Sequence, residues 1–271
     1  MGSRRVLDAN GLGASIERPD IAGMRACVAS AQRVAKHLGA RSINILGGIA
    51  PFAGASSPLS EACGLGIFCE DVRPEDVERL TAFYRELGTP PRVLVSPLAT
   101  TTLGGELTRA GYRPVEHQNV LACDIAALEC ERDYRIVESR DPHSWGLASA
   151  TAFTEPLEGL PSADAILVGT IIASVSTVTT LEVRADGAAI ATAAMDVQGE
   201  LAGLFAGSTA AAARGHGWHA ALIRDRLARA RERGARFARA SAGVGSASER
   251  NFRRAGFHVL YTRTVWERSP A

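Results

Sequence analysis

The chain has 271 residues, 22% charged and 46% hydrophobic with 27 glycines, a globular composition that excludes a disordered tail or a fibre. Thirty basic against 29 acidic side chains leave a net charge of +1, so the basic excess of a dedicated nucleic-acid binder is missing. The five cysteines, the last being Cys130, are odd in number and form no C-x-x-C pair, which argues against a disulfide framework or a zinc site and for a reducing cytoplasm.

Lys36 is the single lysine, and the arginines read as codon bias of a GC-rich, bacterial genome. The N-terminus, MGSRRVLDANGLGAS, lacks the apolar core of a signal peptide. The longest apolar stretch, Ala165 to Val175, is about half a membrane span and is interrupted by Gly169, Thr170 and Ser174. A soluble, cytoplasmic protein without membrane contact is expected.

In chain order, the first half begins irregularly, rich in Gly and Pro from Gly47 to Gly66. A helix over Glu75 to Glu86 follows, then a β-like run Arg92 to Val95, a short helix ending at Ala110 and a strand over Val115 to Ala122. Asp141 to Phe153 and Ser162 to Ile172 read as two more helices. Thr180 to Ala185 alternates, with Leu181 and Val183 on one face and Glu182 and Arg184 on the other. Asp186-Gly187 supplies a tight turn, Ala189 to Met195 the return strand, Gln198-Gly199 a second turn, and Leu201 to Thr209 the third strand of an antiparallel meander. A helix over Trp218 to Arg233 carries Ala220, Ile223, Leu227 and Ala230 on one stripe, with Arg224, Asp225, Arg231 and Glu232 facing away. A run Arg236 to Ala240, a short helix ending at Ala255 and a strand His258 to Trp266 complete the chain.

The later elements of the two halves repeat. Arg109-Ala110-Gly111-Tyr112 returns as Arg254-Ala255-Gly256-Phe257, 145 residues on, and the preceding stop glycines, Gly88 and Gly234, lie 23 and 22 residues before the repeated glycine. A helix–strand–helix–strand unit occurring twice predicts two α+β domains, 1–130 and 131–271, each a mixed and mostly antiparallel sheet flanked by helices.

The segment after the meander carries the chemistry. Arg214-Gly215-His216-Gly217-Trp218 joins a strand to a helix N-terminus, whose free N–H groups and partial positive charge suit a phosphate. Gly215 and Gly217 allow close backbone approach, and Arg214 adds charge. A ligand-free connector fits these residues equally well. The dinucleotide pattern G-x-G-x-x-A is also matched, but the preceding strand belongs to a meander and the next one, Arg236 to Ser241, ends without an acid.

This meander, turn and helix, with the tail Ser248-Glu249-Arg250-Asn251-Phe252-Arg253-Arg254-Ala255-Gly256-Phe257, resemble the GNAT superfamily of acyl-CoA N-acyltransferases over about residues 131 to 267. The first half resembles a degenerate copy. The resemblance implies acetyl-CoA as cofactor, with its pyrophosphate on the amides of Gly215, His216, Gly217, Trp218 and His219, and its pantetheine along Gly207, Ser208 and Thr209. It implies direct attack of an amine, on a small molecule or a peptide, upon the thioester, with a backbone N–H near Gly207 polarising the carbonyl.

Two positions depart from the pattern. The last position of the family's R/Q-x-x-G-x-G/A motif is His219, which is expected to turn away from the phosphates. The tyrosine that often protonates the departing thiolate is here Phe252, and Tyr261 is the nearest phenol in sequence; a packed strand tyrosine is its structural alternative. Asn251 would either bond the pantetheine or cap local backbone.

Other patterns add little. His216 and His219 lack a third ligand, so no metal is expected. The second half has no cysteine and the chain no G-x-S-x-G, so no acyl-enzyme nucleophile is suggested. The arginines from Arg224 to Arg239 scatter around their helix with acids among them, and a solvated face is expected rather than a nucleic-acid surface. Glu155 and Glu158, in the loop joining the first two helices of the second half, would attract a cationic amine or are ordinary solvated loop acids. The first half is expected to bind no nucleotide cofactor, because Cys69-Glu70-Asp71-Val72-Arg73-Pro74-Glu75-Asp76 leads into its helix without glycine and with four carboxylates. An acyltransferase, a non-catalytic acyl-CoA sensor and an Arg-rich nucleic-acid binder are thus weighed in that order, and self-association as a homodimer stays open.

Overall fold

A computed structural model describes residues 9–55, 57–69, 71–153 and 161–268. The chain folds as two compact units, one formed by residues 1–120 with 259–271 and the other by 121–258. This differs from a cut at 130/131: the C-terminal strand belongs to the first unit and the segment from Leu121 to the second.

The first unit contains α1 (Ala9–Val34), β1 (Arg41–Ile45), β2 (Gly48–Phe52), β3 (Glu61–Cys63), α2 (Pro74–Glu86), β4 (Arg92–Val95), α3 (Thr101–Arg109) and β5 (Tyr112–Asp124), whose last four residues count with the second unit. The segment that reads as irregular in sequence, Gly47 to Gly66, holds two of these strands, β2 and β3. Leu46 and Gly47, at φ 51° and 75°, make the tight turn between β1 and β2, although leucine rarely adopts that conformation. β3 pairs parallel with β4 over Glu61–Cys63 and Arg92–Leu94. β4 then pairs antiparallel with the final strand of the chain, from Thr264 opposite Val95 to Glu267 opposite Arg92. Leu80, Phe83 and Tyr84 of α2 and Leu103 and Leu107 of α3 close the core around Ala62 and Val93. The Tyr84 hydroxyl donates to Pro51 O at 3.0 Å, so this large buried ring leaves no polar atom unpaired.

The second unit runs β6 (Ile136–Glu138), α4 (Pro142–Phe153), α5 (Ala163–Ala173), β7 (Thr179–Ala185), β8 (Ala188–Gln198), β9 (Leu201–Thr209), α6 (Trp218–Glu232), β10 (Phe237–Gly243) and α7 (Ala247–Arg254); β11 (His258–Arg268) is the strand given to the first unit. Its sheet order is β10-β9-β8-β7-β6, antiparallel except for the β9–β10 pair. Both units are therefore α+β with mixed, mostly antiparallel sheets. Asp186 and Gly187 sit at φ 50° and 81°, as the hairpin turn demands. Leu181, Val183, Ala191 and Ala193 share one sheet face and pack on Ala221 and Leu222 of α6. α4 lies on β8 and β9, with the buried Trp145 indole donating to Leu181 O at 3.0 Å. α5 packs on α4 at backbone contact: a Cβ on Gly169 would lie 2.7 Å from Gly146 Cα. That is why a glycine interrupts the apolar run of α5.

Candidate active site

The site is built on an irregularity in β9. Thr209 and Ser208 face Ala191 and Thr192 of β8, but Phe205 faces Ala194, so Ala206 and Gly207 together oppose Ala193. This is a β-bulge, and Ala206 stands at φ 48°, a conformation non-glycine residues seldom take. A bulge bends its strand, and the pairing partner on the other side records the consequence. The parallel ladder with β10 covers Leu201–Gly203 against Phe237–Arg239 and goes no further. From Leu204 to Thr209, β9 presents towards β10 an edge without ladder bonds.

The chain then turns through Ala211–Ala213 and Arg214 into α6. Gly215 and Gly217 lie at φ 81° and 80°, and a side chain at either would be strained. Gly217 is the N-cap of α6 and offers no side-chain cap. The first backbone bond of the helix is Ala221 N–H to Gly217 O at 3.0 Å, and the amides of Gly215 to His219 have no acceptor among the described residues. Uncapped amides of this kind face an anion or water. Arg214 donates to Thr209 O and Ala152 O, both at 3.2 Å, so it ties the turn to the ends of β9 and α4 while keeping its charge beside the amides. His216 is exposed, with Nδ1 3.0 Å from Arg214 O. Trp218 packs against the core of the unit beneath the Arg135 guanidinium, 4.7 Å from its ring centroid.

The His219 side chain follows the turn and is half-buried. It lies inward, with Nε2 3.2 Å from where a Gly207 Cβ would be and Nδ1 3.2 Å from Asn251 Nδ2. Burial, helped by the Arg226 charge, pulls its pKa down to about 4, so the ring is neutral at physiological pH. Asn251 on α7 neither caps backbone nor stands free: it orients this imidazole and accepts from Arg254 through Oδ1 at 3.4 Å. Phe252 packs edge-to-face on His219 and on Phe257, with centroids 5.9 and 5.0 Å apart. The Thr209 hydroxyl, on the Gly207 side of the strand, is buried without a partner. An orphaned hydroxyl, an unladdered strand edge and uncapped amides in sequence along β9–α6 fit a long ligand with amides at one end and phosphates at the other.

Two expectations are corrected here. Tyr261 belongs to the first unit, where its hydroxyl donates to Glu17 Oε1 at 3.0 Å; burial raises its pKa above the usual phenol value. Arg263 bonds the same carboxylate at 3.1 Å and Asp20 at 2.6 Å, so the phenol is part of a closed ion cluster. It is not a free acid. The arginines of α6 are likewise not a solvated face throughout. Arg226 and Arg229 are buried, and so is Asp225, which the stripe analysis placed outward. Arg229 pairs with Asp225 at 2.5 Å and Glu138 at 2.6 Å, and Arg231 donates to Ile125 O and Leu128 O. Glu155 and Glu158 lie outside the described residues.

Sequence reasoning missed a polar row on the opposite sheet face. Glu182, Thr192 and Ser208 are register partners across β7, β8 and β9, and all three are buried. The Thr192 and Ser208 hydroxyls bond at 2.7 Å, and Glu182 Oε2 has no partner. Ser208 therefore offers β9's open edge only its backbone. The signal was present as polar residues in the alternating strands, but the register that aligns them is not a property of any one strand.

Comparisons with solved structures place this architecture. A GCN5-related N-acetyltransferase from Kribbella flavida superposes with a TM-score of 0.60 at 17% identity, over 91% of this chain and 96% of its own. A tandem GNAT protein from the clavulanic acid biosynthesis pathway gives 0.59 at 11% identity, over 98% of both chains. A putative GNAT-family acetyltransferase from Novosphingobium aromaticivorans gives 0.54 at 19% identity, over 81% and 87%. No family model matches the chain, and no curated protein matches it in sequence. The chain has the GNAT acetyltransferase fold. Its whole length, moreover, follows that of a tandem GNAT protein.

Proposed function

We propose that the second unit is an acyl-CoA-dependent N-acyltransferase that uses acetyl-CoA and passes its acetyl group to an amine. The observation that carries this reading is the continuity of three features: a bulge at Ala206–Gly207, an open strand edge to Thr209, and the uncapped N-terminus of α6. The amides of Gly215 to His219 would take the pyrophosphate and the edge from Gly207 to Thr209 the pantetheine, with the orphaned Thr209 hydroxyl beside it. Bound there, the cofactor supplies a thioester carbonyl activated for attack. A bulge amide close to that carbonyl would favour the charge that develops on its oxygen. On the other face, the unpaired oxygen of Glu182 heads the Thr192–Ser208 row and offers an acceptor for protons of an incoming amine.

A sensor that binds acyl-CoA without turnover is the second reading, favoured by Phe252 in the place of an acid. Steady thiol release from acetyl-CoA with a panel of primary amines decides between them. Turnover with any of these amines supports transfer; binding without release above the solvent rate supports the sensor. The chain is expected to act away from nucleic acid, since the α6 arginines described above are committed internally, and in the cytoplasm. No helix among the described residues is long and apolar enough to cross a membrane.

A further inference from the structure

Gly207 is the one residue without a side chain in the open stretch of β9 from Leu204 to Thr209, and the space over it is already taken. A Cβ there would lie 3.2 Å from His219 Nε2, 3.5 Å from His219 Cδ2 and 3.6 Å from Arg226 Nη2. The imidazole edge therefore rests on the strand itself. Two residues of α7 hold it there. Asn251 Nδ2 donates to His219 Nδ1 at 3.2 Å, and Phe252 packs edge-to-face on the ring while backed by Phe257. Behind the ring, the buried Arg226 is tied to carbonyls: its Nε donates to Leu222 O at 3.0 Å, and Nη1 is shared between Ala194 O at 3.1 Å and Phe205 O at 3.2 Å. Those two carbonyls belong to the register pair next to the bulge, so this wall is fixed to the strand it covers.

Two further boundaries meet near the same point. On the opposite sheet face the Thr192 and Ser208 hydroxyls bond each other, and both residues are buried. Towards the start of β9 the ladder with β10 closes at Gly203, and Asp196 Oδ1 and Arg239 Nη2 stand over that glycine. A group entering along the open edge from Thr209 thus ends beside Gly207, where the α6 face is shut by close packing.

We propose that His219 limits the acyl group to two carbons by closing the α6 side of the position next to the thioester carbonyl. This rests on the acyl-CoA reading of the second unit, which puts that carbonyl beside Ala206–Gly207. The sulfur and the pantetheine lie along the strand edge towards Thr209 and ask for no space over Gly207. An acetyl methyl also ends at the edge. A longer chain has to leave the plane of the sheet, and on the α6 face the first methylene to do so meets the imidazole. Overpacking of this kind is resisted because neither the ring nor the strand is free to move. The R/Q-x-x-G-x-G/A pattern has a residue no larger than alanine where this chain has His219, so the ring narrows a site that would otherwise be wider. His219 is thereby a specificity residue: it touches the acyl chain and takes no part in bond making or proton transfer.

The test is a calorimetric titration of the full chain with CoA, acetyl-CoA, propionyl-CoA and butyryl-CoA. The wild type is expected to bind butyryl-CoA about tenfold or more weakly than acetyl-CoA, with propionyl-CoA between them. His219→Ala leaves an apolar space beside Gly207, and the two added methylenes of butyryl-CoA fill it. The preference for acetyl over butyryl then falls by about tenfold or more. Free CoA has no acyl chain, and its affinity stays close to that of the wild type. His219→Ser opens the same space and repeats the change. If neither variant folds, the wild-type series decides alone. A wild type that binds butyryl-CoA as tightly as acetyl-CoA, or a folded variant with an unchanged preference, overturns the limit while leaving the cofactor reading intact. No binding of any of the four overturns both.

Discussion

The two units use the same strand–helix–strand connection to different ends. In the first, β3 pairs with β4 over three residues and stops at Cys63, where Gly64 turns at φ 72°. In the second, β9 pairs with β10 over three residues and then continues for six more, through the bulge to Thr209. The helix that follows is closed in one case and open in the other. At α2, Asp76 Oδ2 accepts the Arg73 N–H at 3.1 Å and Pro74 removes a donor. The Thr102 hydroxyl takes the Val72 N–H at 3.2 Å as well. At α6, a left-handed glycine cap leaves the amides free. A repeated fold thus becomes a candidate cofactor site through six residues of strand and the absence of a cap.

That contrast can be broken at the domain cut and at the turn. The largest expected effect follows from the exchanged strand. Residues 131–271 alone would carry β11 without β4, its antiparallel partner, and would lack Leu121–Asp124. Such a fragment exposes strand edges and core, and is expected to be poorly soluble without cooperative unfolding in urea. A soluble fragment with a sharp transition would separate the units.

Next is the turn. Gly217→Asp puts a carboxylate among the amides and should weaken CoA binding on the order of a hundredfold. Gly217→Asn shares the strain at φ 80° without the charge, and should lose far less in the same calorimetric titration. Equal losses would mean that backbone strain, not anion binding, explains the effect.

A smaller effect is thermodynamic. The folded-state pKa of His219, about 4, lies below its ordinary 6.5, so between those values the unfolded chain binds a proton that the folded chain refuses. Stability therefore falls as pH drops from about 6.5 to 4, by on the order of 3 kcal/mol from this residue, and is level above that window. His219→Gln should flatten that part of the urea-midpoint profile. An unchanged slope would place the imidazole in water.

The sequence made the repeat, the meander, the glycine turn before α6 and the capped α2 legible, because glycines, turn residues and periodicity are local signals. Leu46-Gly47 hid the β1–β2 hairpin, since leucine is not turn chemistry. Pro19 inside α1 and a chain start without an acidic first turn concealed the longest helix. What escaped at the site is non-local: the one-residue slip between Thr192 and Ala194, the burial of Arg226 and the alignment of Glu182 with Thr192 and Ser208 all depend on register and packing partners. The inward turn of His219 has the same cause, because Gly207 opens the space on another element.

The difference between the two connections is tested most directly by the stoichiometry of CoA binding to the full-length chain in calorimetry. One CoA per chain, lost in Gly217→Asp, is the predicted result. Two per chain, or one that survives Gly217→Asp in a folded protein, would contradict the assignment of the site to the second unit's turn.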